Sequence, residues 1–321
     1  MTAAPTRWGL IGTGLIADWF ARDLTVTDAG RAVAVGSRSQ QAADRFADKF
    51  GIPNRHASYE ALVSDPEVDV VYVATPHPMH HANALLALDA GKPVLVEKAF
   101  TMTAAEAREL VASARSKGLF LMEAMWTRFL PHIAEVNRLV AEGALGEIVT
   151  VTADHGQWFV KDPAFRLFAP ELGGGAVLDL GVYPISFASM VLGKPERIVS
   201  MITPAFTGVD AQTSMIFGYA SGAQAYLNCT SYARTPTTAV ISGTEARIEI
   251  DGFFYAPAPF ALVSRDGAST PFDVPYEGKG LHYEADEVAR CLRAGLLESP
   301  LMPLDETVEI METIETVLAQ A

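Results

Sequence analysis

Hydrophobic positions in the first third of the chain switch between two periods. Residues 7–11, 31–35, 68–73 and 93–96 are short runs rich in β-branched and aliphatic side chains and read as strands. Residues 15–27, 40–50 and about 80–90 carry apolar positions at helical spacing, the last stopped by Gly91. Thr103 and Glu106 form a capping-box pattern, in which hydroxyl and carboxylate satisfy free N–H groups at a helix start. That helix is predicted to end at Gly118, and residues 119–122 give a further strand. Strands alternating with helices predict a parallel sheet covered on both faces.

Near Pro131 the pattern changes. A helix over 131–142 leads into 147–153, which alternates like a strand. From Glu196 to Val274 the chain is rich in Thr, Val, Ile and aromatics. Turn signals fall at Thr207-Gly208, Ser221-Gly222, Ser242-Gly243 and Asp251-Gly252, so a mostly antiparallel open sheet is predicted. Helices over 281–295 and 304–320 finish the chain. The expected architecture is α/β: a doubly wound parallel sheet over residues 1–125, then an α+β domain over 126–321.

Composition narrows the function classes. In 321 residues, 50% are hydrophobic, 19% charged, and the formal net charge is −14. Such a polyanion repels nucleic acid and acidic membranes. No apolar run reads as a membrane span, and no basic-then-apolar leader opens the chain, so a cytoplasmic location is expected. Cys229 and Cys291 lie far apart without metal-ligand spacing; they read as two buried thiols, and no metal is expected.

The first chemical motif is Gly12-Thr13-Gly14-Leu15-Ile16-Ala17, a G-x-G-x-x-A run directly after a strand and opening a helix. The first Gly permits a tight turn, the second a close backbone approach to a pyrophosphate, and Ala17 close helix–strand packing. The helix N-terminus offers N–H donors to phosphates. The plain alternative is a tight turn with no nucleotide. The second strand runs into Val35-Gly36-Ser37-Arg38-Ser39, without the acidic residue that would hold the ribose hydroxyls of NAD. Ser37 and Arg38 instead suit a 2′-phosphate, so the cofactor expected is NADP rather than NAD.

The second motif is Glu97-Lys98, an acid and a base at the C-terminal end of a parallel strand, the edge where such sheets bind ligands. Together with Gly9–Gly14, Ala74-Thr75-Pro76-His77, His80 and Gly173–Asp179, it makes the chain resemble the glucose–fructose oxidoreductase / inositol dehydrogenase (Gfo/Idh/MocA) family over nearly its whole length. Residues 94–99, 119–129 and 172–183 are most similar to the trans-dihydrodiol dehydrogenase / D-xylose dehydrogenase branch. Ala99 departs from the Pro usual in the family.

The resemblance implies that Glu97 contacts the nicotinamide-side ribose and that Lys98 is catalytic. It also implies cofactor contacts at Thr75, Pro76 and His80. Tyr183, where many members have His, is the candidate acid/base, with Lys98 lowering its pKa or donating itself. Lys98 as sole proton carrier stays open beside that assignment. Asp179 is expected to orient the substrate hydroxyl or Lys98. Asp179 and Tyr183 are spaced i, i+4 on one helical face, although Pro184 disturbs the helix at the carbonyl of Leu180.

Trp126 is a candidate wall of the substrate pocket, and Arg128 a contact to the nicotinamide carboxamide or substrate. His155, Trp158, Phe159 and Arg166 are expected on a lid over the site, His155 reading equally as a structural histidine. His282, at a helix start, is a weaker substrate candidate. The activity expected is hydride transfer at a hydroxyl-bearing carbon of a sugar, cyclic polyol or diol. A nicotinamide-dependent glycosidase without net redox and a non-catalytic NADP(H)-binding regulator are the alternatives. Apolar residues on both alternations at 214–217 and 252–255 predict a homodimer built on the second sheet.

Overall fold

The computed structural model describes residues 4–320. It comprises two compact units: the described residues up to Phe129 with Glu277–Val308, and Leu130–Tyr276 with the described residues from Glu309 onward.

The first unit begins β1 (Thr6–Ile11), α1 (Leu15–Asp23), β2 (Gly30–Gly36), α2 (Gln40–Phe50), β3 (Asn54–His56) and α3 (Tyr59–Val63). It continues with β4 (Val70–Val73), α4 (His80–Asp89), β5 (Val94–Glu97), α5 (Ala104–Lys117) and β6 (Leu121–Ala124). The strands form one parallel sheet in the order β3-β2-β1-β4-β5-β6, the doubly wound dinucleotide-binding order. Every residue of β4, β5 and β6 is buried; that is why they read as unbroken apolar runs. The capping box at Thr103 and Glu106 is formed, and Gly118 closes α5 in the left-handed conformation.

Three details were not legible. The pair β3 and α3 is too short to show a period; Ser58 caps α3 by accepting from Ala61 N–H. Helix α1 stops at Asp23, four residues before its expected end. The Asp23 carboxylate accepts backbone N–H groups of Lys279 and Leu281. It thereby anchors the segment entering α8 (His282–Arg293), and Leu121 N–H reaches Leu297 O at 3.1 Å beside β6. Residues 277–308, remote in sequence, thus belong to the first unit.

The second unit carries α6 (Pro131–Ala141), β7 (Ile148–Gly156), α7 (Val182–Leu192), β8 (Arg197–Pro204), β9 (Asp210–Gly218) and β10 (Gln224–Thr230). Then come β11 (Ala239–Gly243), β12 (Ala246–Ile250), β13 (Phe260–Ser264), β14 (Ser269–Phe272) and the C-terminal part of α9 (Leu304–Leu318). Its eight strands run β14-β13-β12-β11-β7-β10-β9-β8. Only the β7–β10 pair is parallel. In β9 buried and less buried residues alternate, with Met215 and Phe217 inward and Ile216 exposed.

Residues 252–255 are not strand, contrary to their expected place in the sheet. They form a turn between β12 and β13, wedged so tightly that a Cβ on Gly252 would lie 2.0 Å from Pro236 O. Phe254 is buried there and Phe253 exposed. Contrary to the expectation of no span, Pro170–Leu192 is long and apolar enough to cross a membrane by length and composition. Of its most apolar 18-residue stretch, 78% is buried inside the protein, so core packing accounts for its hydrophobicity.

Candidate functional sites of the two units

In the first unit the chemistry-bearing residues gather where the strands end. At the end of β1, Gly12 has φ +107°, and a Cβ there would meet Ala74 O at 2.8 Å; only glycine fits. Gly14 has no heavy atom within 4 Å of its Cβ position. It is the N-cap of α1 and supplies no side-chain cap, so the first N–H groups of the helix remain available to an anion. Ala17 is fully buried against the sheet, while Leu15 stands 67% exposed and Thr13 and Ile16 are half-buried. These features fit a dinucleotide pyrophosphate. At the end of β2, Ser37 is buried, with its N–H on His56 O, and Arg38 is exposed.

At the ends of β4 and β5, burial organises the polar groups. Thr75 Oγ1 accepts from Asn83, and Pro76 opens a short 3-10 turn. His80 is fully enclosed, with Nδ1 2.9 Å from Ala99 O and Nε2 2.8 Å from Thr75 O. Carbonyls only accept, so satisfying both calls for imidazolium; burial opposes this and holds the pKa down. His80 therefore acts on this edge through the backbone of Thr75 and Ala99. Glu97, also buried, accepts from the Tyr72 hydroxyl and from Lys98 N–H. Tyr72 lies inside the sheet and stacks on Phe20. It orients Glu97, and no local pattern in the sequence marks it.

Trp126 and Arg128 occupy a buried 3-10 turn after β6. Arg128 pairs with Glu306 at 2.6 Å, a partner 178 residues away. Burial pushes the Glu123 carboxyl up to about 7, with Arg128 pulling the other way. Glu284 on α8 is fully buried, and neither carboxyl oxygen has a hydrogen-bond partner among the described residues. Burial raises its pKa well above the carboxylate range, aided by Glu97, Asp23 and Glu123. His282 falls in this first unit, buried, with Nδ1 3.9 Å from Asp23.

In the second unit the site is assembled from distant segments. After the glycines, residues Val177–Gly181 form a π-type turn that runs into α7. Asp210 on β9 holds its start: Oδ2 accepts from Val177 N–H at 2.7 Å. Gly175, at φ +128°, leaves room for the other oxygen, which would lie 2.3 Å from a Cβ. Asp179 is buried and accepts both arms of the Arg166 guanidinium at 2.8 and 2.9 Å. Tyr183 is buried on α7, its ring 5.3 Å from His155 and 4.6 Å from Tyr255.

His155, at the end of β7, stacks on Tyr255 at 4.3 Å, and Gln157 reaches both. Trp158 is 57% exposed and bridges to Tyr232; Phe159 packs with Phe165. The fold thus joins Arg166 to Asp179 and His155 to Tyr183. Tyr255, Gln157 and Asp210 went unnoticed, since nothing local distinguishes them. Among the described residues no group of three or more His, Cys, Asp or Glu is placed to hold a metal ion.

A doubly wound sheet with a glycine turn at β1 and an acid–base step at β5, accompanied by a mostly antiparallel second unit, defines a dinucleotide-binding oxidoreductase. The chain belongs to the Gfo/Idh/MocA oxidoreductase family. Residues 6–125 match its NAD-binding Rossmann-fold model, and residues 133–249 match the model of the GFO/IDH/MocA C-terminal domain. It is 38% identical over 327 residues to trans-1,2-dihydrobenzene-1,2-diol dehydrogenase of Xenopus laevis, covering 98% of each chain. It is 39% identical to the Mus musculus protein of the same name, covering 96% of this chain and 95% of that one. Among solved structures, aldose-aldose oxidoreductase from Caulobacter crescentus is similar, with TM-score 0.91, 25% identity and 99% and 97% coverage. A 3-ketoreductase from Actinomadura kijaniata, in complex with NADP, matches with TM-score 0.87, 26% identity and 99% and 98% coverage.

Proposed function

We propose that this protein is an NADP-dependent oxidoreductase that moves a hydride between the nicotinamide and a hydroxyl-bearing carbon of a sugar, cyclic polyol or diol. One observation carries the reading: the Glu97-Lys98 step emerges on the same C-terminal sheet edge as the Gly12–Gly14 turn. Ser37 and Arg38, with no carboxylate at the end of β2, support NADP. The names of the relatives, a diol dehydrogenase, an aldose oxidoreductase and a 3-ketoreductase, support the substrate class.

The nicotinamide, when bound, supplies the hydride acceptor or donor. The N–H groups opening α1 bind the pyrophosphate, Arg38 pairs with the 2′-phosphate, and Glu97, oriented by Tyr72, holds the ribose hydroxyls. Tyr183 carries the proton of the substrate oxygen in this reading, and Lys98, at the sheet edge of the first unit, is the alternative carrier. The Arg166–Asp179 pair offers donors and an acceptor to neighbouring hydroxyls. Trp158 and Phe159 supply apolar surface in the second unit, and Trp126 in the first.

The test is an NADP+ reduction screen over aldoses, inositols and cyclic diols with product analysis. NADPH formation with one of these classes supports the reading; a product formed without net NADPH points to transient use of the cofactor. The chain is also proposed to pair as a homodimer through the outer sheet face. Val199, Ile216, Tyr226, Thr152 and Val240 form one cross-strand row there, and Val199, Ile216 and Tyr226 are exposed. Light scattering at micromolar concentration decides it: a dimer is expected, and the 34.4 kDa chain mass overturns it.

A further inference from the structure

The turn that delivers Tyr183 has a built-in defect. Pro184 has no N–H to offer the Leu180 carbonyl four residues back. His155 Nδ1 lies 3.2 Å from that carbonyl, and a carbonyl accepts only, so Nδ1 carries the proton of this hydrogen bond. The other ring nitrogen, Nε2, lies 2.9 Å from the amide nitrogen of Gln157. An amide N–H₂ donates, so Nε2 must present its lone pair. These two bonds select one state of a 1%-exposed imidazole: neutral, protonated at Nδ1. Were the Gln157 amide turned over, its oxygen would demand a second proton on the ring, giving a buried imidazolium among aromatic rings.

The same Gln157 amide nitrogen is 3.4 Å from the Tyr255 hydroxyl. The rings of His155, Tyr255 and Tyr183 pack on one another at 4.3, 4.6 and 5.3 Å. The residue is held in place in turn, because Gln157 N–H donates to Thr230 O at 2.9 Å.

We propose that Gln157 is a positioning residue for Tyr183: it fixes His155 as the Nδ1-protonated neutral imidazole, and His155 with Tyr255 then sets the helix turn and ring plane of Tyr183. The proposal rests on Tyr183 carrying the substrate proton, and its two test arms separate the claims. In the first arm, ring ¹⁵N shifts of His155 report the tautomer without any substrate. The full-length protein is expected to show protonated Nδ1 and bare Nε2 at neutral pH. In Gln157→Glu, whose carboxylate accepts only, Nε2 is expected to gain a proton. An Nε2-protonated or charged ring in the unsubstituted protein overturns the proposal, whatever the enzyme's substrate.

In the second arm, Gln157→Leu and Gln157→Glu are expected to lower kcat about ten- to a hundredfold, the scale of an ångström-sized misplacement. KM for NADP is expected to be unchanged. Gln157→Asn, if its amide reaches Nε2, restores both the ¹⁵N pattern and part of kcat. Normal kcat in both Gln157→Leu and Gln157→Glu, with the tautomer confirmed, overturns the positioning role. Absence of any dehydrogenase activity in the unsubstituted protein overturns the proposed function while leaving the tautomer result standing.

Discussion

The two units place chemistry by different means. In the first, Gly12–Gly14, Ser37-Arg38, Thr75-Pro76 and Glu97-Lys98 each stand at or just past the C-terminal end of a parallel strand, so sheet topology alone puts them on one edge. In the second, Arg166 meets Asp179, Asp210 holds the turn at Val177, and His155 meets Tyr183 and Tyr255 only because distant segments converge. Their buried titratable groups are alike in kind. Each encloses both an acid raised by burial and a histidine lowered by it: Glu123, to about 7, and His80 in the first; Asp210, to about 6, and His132, to about 4, in the second. A site written strand by strand is modular, whereas a site made by convergence depends on the packing around it.

The sharpest way to break this comparison is to remove one proposed proton-handling group from each unit. Lys98→Met is expected to lower kcat by about 10²–10⁴ with cofactor binding retained, the span for a lost acid/base group. Tyr183→Phe is expected to do likewise. Steady-state kinetics with a fluorescence titration of NADPH checks both. Near-normal turnover in Tyr183→Phe would leave the proton with Lys98 and the chemistry with the first unit.

Two of these groups, Glu123 in the first unit and His132 in the second, should answer pH in opposite directions. Glu123 is raised to about 7, so the folded first unit holds a proton that the unfolded chain releases above the usual carboxylate pKa. Stability from this group is complete below pH 4.5 and is lost as pH rises through 7. His132 is lowered from 6.5 to about 4, so its contribution is complete above pH 6.5 and is lost as pH falls through 4. Each shift is worth at most about 3 kcal/mol. Hydrogen exchange across β5 and β6, against α6 and β7, between pH 4 and 8 reads the two separately. Glu123→Gln should remove the loss on raising pH in the first unit and His132→Gln the loss on lowering pH in the second; a pH trend unchanged by its substitution would contradict the assignment.

Convergence also makes the second unit less tolerant of small changes. Gly175→Ala places a Cβ 2.3 Å from Asp210 Oδ1 at φ +128°, and should cost roughly 2–3 kcal/mol in thermal or denaturant unfolding. The modular counterpart is gentler. Arg38→Asp on the first unit should leave the fold unchanged and shift preference from NADP toward NAD by about tenfold to a hundredfold, from the lost charge-assisted bond. Comparison of Kd values for the two cofactors checks it, and equal affinities in the unsubstituted protein would remove the basis for the NADP assignment.

The sequence by itself determined the parallel sheet, the glycine turn, the capping box at Thr103, the edge position of Glu97-Lys98 and the mostly antiparallel second sheet. These follow from periods of 2 and 3.6, from glycine's freedom and from strand order, all short-range or topological. Only tertiary structure decided the rest. The return of residues 277–308 to the first unit depends on Asp23 accepting from Lys279 and Leu281, more than 250 residues on. Arg128 is paired by Glu306, and His155 by Leu180 O and Gln157. A side chain's partner across such distances is set by which surfaces pack together. Burial then decides what each group must do, because an enclosed polar atom has to find a partner, shift its pKa or bear the cost.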